Sequence, residues 1–214
     1  MLVGERMTRH PITVLETERV EDALKRMRDN KVRRLPVVDA NKKLVGIISE
    51  KDVLYASPSP ATTLSIYEVH YLLSKLTVRE VMTSDVITVT EFTPIEEAAR
   101  IMVDQKIGGL PVMRGDLVVG IITETDLFRV FMELMGARES GVRLTVLVPE
   151  QKGILADMSR MIAEAGGNII TLGTFHGDDP TNRLITLKVE GVSKADLQAA
   201  LKPISVEIMD IRET

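Results

Sequence analysis

Hydrophobic residues recur along the first two thirds of the chain with a spacing that predicts one helix and one strand pair, twice over. Val20, Ala23, Leu24 and Met27 fall three and four residues apart, which is typical of the apolar face of an amphipathic helix. Two short β-branched runs, split by a polar turn, follow that predicted helix. The second helix has its apolar face at Ile95, Ala98, Ala99 and Met102, and the strand runs are 35–38 with 44–48 and 110–113 with 117–122.

Short sequence motifs recur at a fixed spacing along the chain, which shows that it contains an internal repeat. Met7-Thr8 returns as Met82-Thr83 and Leu35-Pro36-Val37 as Leu110-Pro111-Val112, both 75 positions later. After a one-residue deletion in a turn, the segment 46–52 returns as 120–126. Each copy is a strand-helix-strand-strand-helix unit that buries little apolar surface alone. Two copies are therefore expected to pack about a pseudo-two-fold axis and to form a cleft.

Local signals predict how the copies are joined and where the second helix begins. Residues 56–63 are rich in Ser, Pro and Thr and predict a linker, and 64–76 is expected to be a helix leading into the second copy. Thr93 is expected to cap the helix of the second copy, with Pro94 in its first position and Glu96 completing a capping box.

These motifs resemble a tandem pair of CBS domains. The resemblance rests on Met-Thr before the first strand, Leu-Pro-Val in the middle and Gly-Ile-Ile-Ser/Thr-x-x-Asp near the end of each copy. It implies a first CBS repeat over 1–60 and a linker helix with the second repeat over 61–135. It further implies a regulatory module without catalytic chemistry or a required cofactor, whose cleft binds AMP, ATP or another adenosyl compound.

The last motif of each copy supports two interpretations. A strand ends at Ile48 and a helix begins at Ser49, so its first N–H groups attract an anion while Asp52 accepts hydrogen bonds from ribose hydroxyls. Thr123 and Asp126 repeat this arrangement. The same residues also make good helix N-caps with no ligand present.

The resemblance assigns the other edge of the cleft, and the two copies differ there. Arg33 and Arg34 are suited to phosphates, whereas the second copy has Gly108 and Gly109 at these positions. We predict two inequivalent half-sites, with a nucleotide preferring the one lined by Arg33 or Arg34; the alternative is that both arginines are solvated surface residues. The contacts implied along this edge are Thr13, Arg33, Arg34, Leu35, Pro36, Thr88, Gly109, Leu110 and Pro111.

The last third of the chain has the pattern of a separate α+β domain over 140–214. Apolar and polar residues alternate over 142–148, a helical spacing follows over 154–162, and two further strands are predicted at 169–174 and 183–190. Ser193 is expected to cap a second helix before a last strand at 205–211. The order is βαββαβ, the ferredoxin-like arrangement, and the whole chain is of the α+β class.

The first turn of this domain resembles that of an ACT domain. The segment 149–155 contains Gly153, and in that family such a glycine lets a small effector, often an amino acid, approach the helix N-terminus, commonly across a dimer interface. Lys152 stands where the family often has proline. The effector contacts implied are Gly153, Ile154, Leu155, Asn168 and Ile169; the alternative is a ferredoxin-like dimerisation module with an ordinary glycine turn.

Composition narrows the function classes. The chain has no cysteine and three separated histidines, which disfavours metal sites and fits a reducing cytoplasm. A net charge of −4 without a basic tail disfavours nucleic-acid binding, and no apolar stretch reaches the roughly 18 residues of a membrane span. No nucleophile with a base is evident, so we expect no enzyme.

The domain order CBS, CBS, ACT is similar to that of bacterial acetoin-utilisation proteins. This resemblance implies an allosteric sensor in acetoin or other carbon catabolism. Because tandem CBS pairs associate further through helices that flank the cleft, we expect a homodimer. The competing hypothesis is a scaffold that binds no ligand and only dimerises or holds a partner.

Overall fold

The computed structural model describes residues 1–56, 65, 67–68, 71, 75–204 and 207–214. It divides the chain into two compact units, Met1–Leu127 and Phe128–Thr214. All of the predicted linker over 56–63 except Ala56, and most of the predicted helix over 64–76, lie outside the described residues.

The N-terminal unit contains both copies of the repeat, and each has the predicted helix followed by an antiparallel strand pair. In each copy a two-residue strand also runs parallel to the first strand of that pair, with Val14 opposite Val37 and Val89 opposite Val112. The first copy comprises α1 (Val3–Arg6), β1 (Thr8–Arg9), β2 (Val14–Leu15), α2 (Val20–Asp29), β3 (Arg34–Val38), β4 (Leu44–Ser49) and α3 (Glu50–Ala56). The second comprises α4 (Val78–Val81), β5 (Val89–Thr90), α5 (Ile95–Gln105), β6 (Gly109–Arg114), β7 (Leu117–Thr123) and α6 (Glu124–Leu134).

The start of each copy packs on the other copy, which the sequence reasoning missed. Strand β1 of the first copy pairs with β7 of the second, with Thr8 opposite Ile121. In the same way, the backbones of Thr83 and Ile47 exchange two hydrogen bonds of 2.9 Å. Val3 and Met7 belong to the core of the second copy, and Val78 to that of the first, so the two copies stabilise each other.

This exchange explains the glycine in each Gly-Ile-Ile motif. A Cβ atom on Gly120 would overlap the sulfur of Met7 and lie 3.0 Å from its Cγ. A Cβ atom on Gly46 would overlap the sulfur of Met82 and lie 2.9 Å from its Cγ. The methionine of each Met-Thr motif therefore packs against the glycine of the opposite copy.

The predicted cap of α5 is wrong. Pro94, not Thr93, is the N-cap residue and makes no side-chain cap, while the Thr93 hydroxyl accepts a 3.1 Å hydrogen bond from the backbone N–H of Thr90. The exchanged N-terminus replaces the missing cap, since the carbonyl of Met1 accepts from the N–H of Ile95 at 3.2 Å. A tertiary contact thus satisfies a helix end that we expected a local side chain to satisfy.

The C-terminal unit has the predicted βαββαβ order. Its sheet is antiparallel throughout, with its four strands in the order fourth, first, third, second, and residues from the strands and both helices form one core. Ser193 caps the second helix as predicted, accepting a 3.1 Å hydrogen bond from the N–H of Asp196. The elements are β8 (Val142–Pro149), α7 (Ile154–Glu164), β9 (Asn168–His176), β10 (Asn182–Glu190), α8 (Lys194–Leu201), a 3-10 turn (Lys202–Ile204) and β11 (Glu207–Glu213).

Lys188 on β10 is buried in this unit, with 4% of its surface exposed. Its ammonium group donates to the carbonyls of Gly136 at 2.8 Å and Glu139 at 2.7 Å. Because a buried charge is costly unless it is hydrogen-bonded, these two bonds tie the segment after α6 to the sheet.

Candidate functional site

A cavity of about 450 Å³ in the N-terminal unit is lined by residues of both copies. The first copy contributes Arg33, Arg34 and the strand end and helix start from Ile47 to Tyr55. The second contributes residues from the segments 83–87 and 106–109. The volume falls within the range of small-molecule sites, which is roughly 300 to 1,000 Å³.

The first wall of the cavity is the junction of β4 and α3. The Asp52 carboxylate accepts hydrogen bonds through one oxygen from the Ser49 N–H at 2.8 Å and from the Ser49 hydroxyl at 2.7 Å. Ser49 and Asp52 therefore form a helix N-cap, as the cap interpretation predicts. Asp52 is half-buried and lines the cavity, so its carboxylate is also placed to accept from a ligand. The two interpretations are compatible, because a carboxylate has four lone-pair positions.

The equivalent junction in the second copy is more closed. Asp126 accepts from the Thr123 N–H at 2.9 Å and from the Thr123 hydroxyl at 2.7 Å, the same cap as in the first copy. Only 6% of Asp126 is exposed, and neither residue lines the cavity described above. The two half-sites thus differ in accessibility as well as in their arginines.

The cavity wall combines charged and apolar groups. The charged residues of the lining are Arg33, Arg34, Lys51, Lys106, Glu50, Asp52 and Asp85. The apolar part consists of Ile47, Val86, Ile87 and Ile107, whose side chains have no hydrogen-bonding groups. A ligand with an apolar ring and a polar or anionic part fits such a lining.

Arg34 crosses from the first copy to the glycine pair of the second. A Cβ atom on Gly109 would overlap its guanidinium and lie 3.0 Å from its Cδ. Burial lowers the pKa of the Arg34 guanidinium below its usual value, an effect that Glu124 opposes more strongly than Asp52 does. The Arg-Arg and Gly-Gly difference between the copies is therefore complementary, because the glycines leave the space that Arg34 occupies.

The cavity brings together part of the predicted nucleotide contacts. Arg33, Arg34, Ser49, Asp52 and Gly109 all line it. The Leu-Pro pairs are buried in β3 and β6 and support the wall from behind. The predicted contacts outside this lining are Thr13, Leu35, Pro36, Thr88, Leu110, Pro111, Thr123 and Asp126.

Two of the outlying residues, Thr13 and Thr88, directly precede the short strands β2 and β5. Thr88 is exposed and directly follows Val86 and Ile87, which do line the cavity. Thr13 is half-buried, and its carbonyl accepts a 2.8 Å hydrogen bond from Arg26. The sequence reasoning missed the segment 83–87. The feature that could have predicted it is the Met-Thr motif, since the structure shows that the chain pairs with the other copy at this motif.

The five residues implied by the ACT resemblance lie at the start of α7 and of β9. Gly153 is the N-cap of α7 and has φ +92°, a left-handed backbone conformation that favours glycine. Leu155 is 39% exposed, whereas Ile154 is buried and Ile169 packs against the core. The Asn168 side chain donates to Glu190 at 2.7 Å.

Within the part of the chain that the structure describes, no cluster of three or more His, Cys, Asp or Glu side chains is arranged to hold a metal ion. A search of the same residues finds no helix with the length and apolar character needed to cross a membrane.

The model of the CBS domain family matches this chain twice, at residues 3–59 and 78–133. The chain belongs to the CBS domain family. It spans 94% of a CBS domain-containing protein of Dictyostelium discoideum, which is 30% identical over 136 residues and 63% of this chain. Of the next three relatives it spans only 34% to 59%, and one of these is an inosine-5′-monophosphate dehydrogenase of Nitrosopumilus maritimus.

Solved structures of CBS pairs resemble this chain over its larger part. A Vibrio cholerae protein assigned to acetoin utilization, AcuB, is 38% identical with a TM-score of 0.54, covering 65% of this chain and 96% of its own. The CBS pair of protein MJ0100, solved with 5′-methylthioadenosine and S-adenosyl-L-methionine, is 31% identical with a TM-score of 0.53, covering 65% and 98%. CBSX2, solved with AMP, is 31% identical with a TM-score of 0.50, covering 61% and 96%. CBS pairs related to this one therefore bind adenosyl compounds.

Proposed function

We propose that this chain is a non-catalytic regulatory protein whose CBS pair binds an adenine nucleotide or another adenosyl compound in the cavity beside Asp52. The observation that carries the proposal is a cavity in which Asp52, four cationic side chains and an apolar wall meet from both copies. Relatives solved with AMP, 5′-methylthioadenosine and S-adenosyl-L-methionine support the ligand class.

Each part of an adenosyl compound has a matching group in the cavity. Asp52 accepts from the ribose hydroxyls, and Ile47, Ile87 and Ile107 contact the faces of the adenine ring. Arg33 and Arg34 pair with a phosphate, for which the planar guanidinium fork is well suited. The half-site at Asp52 is preferred to that at Asp126, because Asp126 is buried.

The direct test is ligand binding by the full chain. Thermal unfolding is measured with AMP, ATP, NAD, S-adenosylmethionine, 5′-methylthioadenosine and a set of amino acids. Binding to the native state raises stability by about 2.7 kcal/mol at a hundredfold excess over Kd. We expect a shift with adenosyl compounds; its absence with every one of them would refute the proposal and favour the scaffold that binds no ligand.

The position of the ligand is tested with Asp52→Asn. Asparagine preserves the helix cap but removes the charged acceptor, so we expect affinity to fall about tenfold or more. Asp22→Asn on the exposed face of α2 is the matched control and keeps full affinity. If Asp126→Asn abolishes binding while Asp52→Asn does not, the ligand occupies the other half-site and the placement is wrong.

For the C-terminal unit we propose the role implied by its ACT resemblance, either homodimerisation or binding of an amino acid at Gly153, Ile154, Leu155, Asn168 and Ile169. The left-handed Gly153 at the start of α7 supports the second role. An amino acid that raises the unfolding temperature of the wild-type chain but not of Gly153→Val would establish it. A dimer by light scattering without any amino-acid effect would leave only the first role.

A role in acetoin or other carbon catabolism rests on the likeness to the Vibrio cholerae protein. We expect a strain lacking this protein to grow more slowly on acetoin than its parent and equally well on glucose. Equal growth on both carbon sources would remove this part of the proposal.

A further inference from the structure

Two oppositely charged side chains, Arg34 of the first copy and Glu124 of the second, end beside Gly108, where the two copies of the repeat meet. A Cβ atom on Gly108 would lie 2.5 Å from Nη2 of Arg34 and 2.6 Å from a carboxylate oxygen of Glu124. The guanidinium of the first copy and the carboxylate of the second therefore converge on the same glycine. Any side chain at this position would separate or displace them.

Glu124 is the main anionic influence on Arg34. Burial lowers the pKa of Arg34, and among the groups that counteract this Glu124 acts more strongly than Asp52. Glu124 is exposed and is the first residue of α6, where its position is fixed by a 3.2 Å backbone hydrogen bond from its N–H to the carbonyl of Gly108. Arg34 also lines the cavity, so it is shared between Glu124 and whatever occupies the cavity.

We propose that Glu124 competes with the anionic group of the cavity ligand for Arg34, and that this pair sets the preference between phosphate-bearing and phosphate-free adenosyl compounds. This rests on the proposed function. A guanidinium with a carboxylate close by binds a phosphate with a smaller net gain, because the carboxylate repels the phosphate. A ligand without an anionic group gains nothing from Arg34 and is indifferent to Glu124.

The chain offers a matched control at Glu50. It occupies the equivalent position at the start of α3, and its N–H donates to the Arg33 carbonyl at 3.1 Å, as that of Glu124 does to Gly108. Glu50 also lines the cavity, but the second copy has glycine where the first has Arg34. Replacing either glutamate by glutamine removes the same charge, but it is Glu124 that lies beside Arg34 at Gly108.

The test measures affinities of AMP and 5′-methylthioadenosine by calorimetry for the full chain and its variants. We expect Glu124→Gln to bind AMP about threefold to fivefold more tightly, the upper part of the range for one partly exposed charge interaction, and to bind 5′-methylthioadenosine as before. In an Arg34→Gln background the gain from Glu124→Gln disappears, whereas any gain from Glu50→Gln remains.

Two results would overturn the inference. One is an equal gain for both ligands on Glu124→Gln, and the other is a gain for AMP that persists without Arg34. Either outcome leaves the proposed function intact, since both require that the ligands bind. Failure of the unchanged chain to bind either compound would instead refute the proposed function, and this inference with it.

Discussion

Placing a methyl group on Gly120 tests the exchange of N-terminal segments that holds the two copies together. In Gly120→Ala the new Cβ overlaps the sulfur of Met7, which is 8% exposed and has little room to move. Overpacking of this kind costs typically about 1 to 3 kcal/mol, and the loss of unfolded-state freedom returns about 0.4 to 1 kcal/mol. We expect a net loss of about 1 to 2 kcal/mol in the free energy of unfolding.

Met7→Ala supplies the second arm of a double-mutant cycle. Alone it removes a buried side chain and should cost about 2 to 3 kcal/mol, the lower part of the range for methionine-to-alanine changes. In the double variant the methyl on residue 120 enters the space that Met7 leaves, so the two losses should fall short of their sum by at least about 1 kcal/mol.

Gly46→Ala is the matched case in the other copy and should respond differently. Its Cβ meets not only Met82 but also the backbone oxygen of Thr83 at 3.1 Å, and that oxygen accepts a 2.9 Å hydrogen bond from Ile47. Because a paired backbone cannot move as a side chain can, Met82→Ala should rescue Gly46→Ala less well than Met7→Ala rescues Gly120→Ala.

Urea unfolding followed by circular dichroism gives the free energies for these variants. The slope with denaturant must stay constant across the series for the comparison to hold. Additivity of Gly120→Ala and Met7→Ala within about 0.5 kcal/mol would refute the reasoning, since it would mean that the two residues do not touch.

Two further predictions concern stability. Lys188→Met keeps the buried aliphatic part of the side chain but removes both hydrogen bonds to the segment after α6, and should lower the free energy of unfolding by about 2 kcal/mol. As a control, Lys194→Met replaces an exposed lysine and should change the free energy of unfolding by no more than about 0.5 kcal/mol. Equal effects of the two substitutions would contradict the burial argument. A hydrogen bond from Arg114 lowers the pKa of Glu91, so this pair stabilises the fold above the usual glutamate pKa, and the contribution is lost as the pH falls through the lowered value. In a plot of the free energy of unfolding against pH, Glu91→Gln should therefore make the decline at acid pH less steep. An unchanged decline would contradict this prediction.

Local periodicity was sufficient to predict most of the secondary structure. The apolar face of Val20, Ala23 and Met27 is completely buried, as the helical spacing requires, and the predicted strand pairs differ from the observed ones by one residue at their ends. These elements follow from interactions between near neighbours, which the sequence order displays directly.

The failures have a common cause in contacts between residues far apart in the chain. The cap of α5 was misplaced because Met1, 94 positions from Ile95, supplies the acceptor. The wall formed by the segment 83–87 was missed for the same reason, since Thr83 pairs with β4 of the opposite copy. The periodicity of a repeat copy is the same whether its first segment packs within that copy or against the other one. The sequence pattern alone therefore does not reveal the exchange.

The divergence between the copies is informative once both are seen in contact. Arg33 is exposed, as the solvated-surface alternative expects, but Arg34 is half-buried. Arg34 fills the space above Gly108 and Gly109, so an arginine at either position of the second copy would collide with it. Only one arginine side chain fits in this space. The copy that provides the arginine therefore determines which part of the cavity wall carries its positive charge. The asymmetry is thus a packing requirement where the two copies meet, and it supports the proposed preference for the half-site at Asp52.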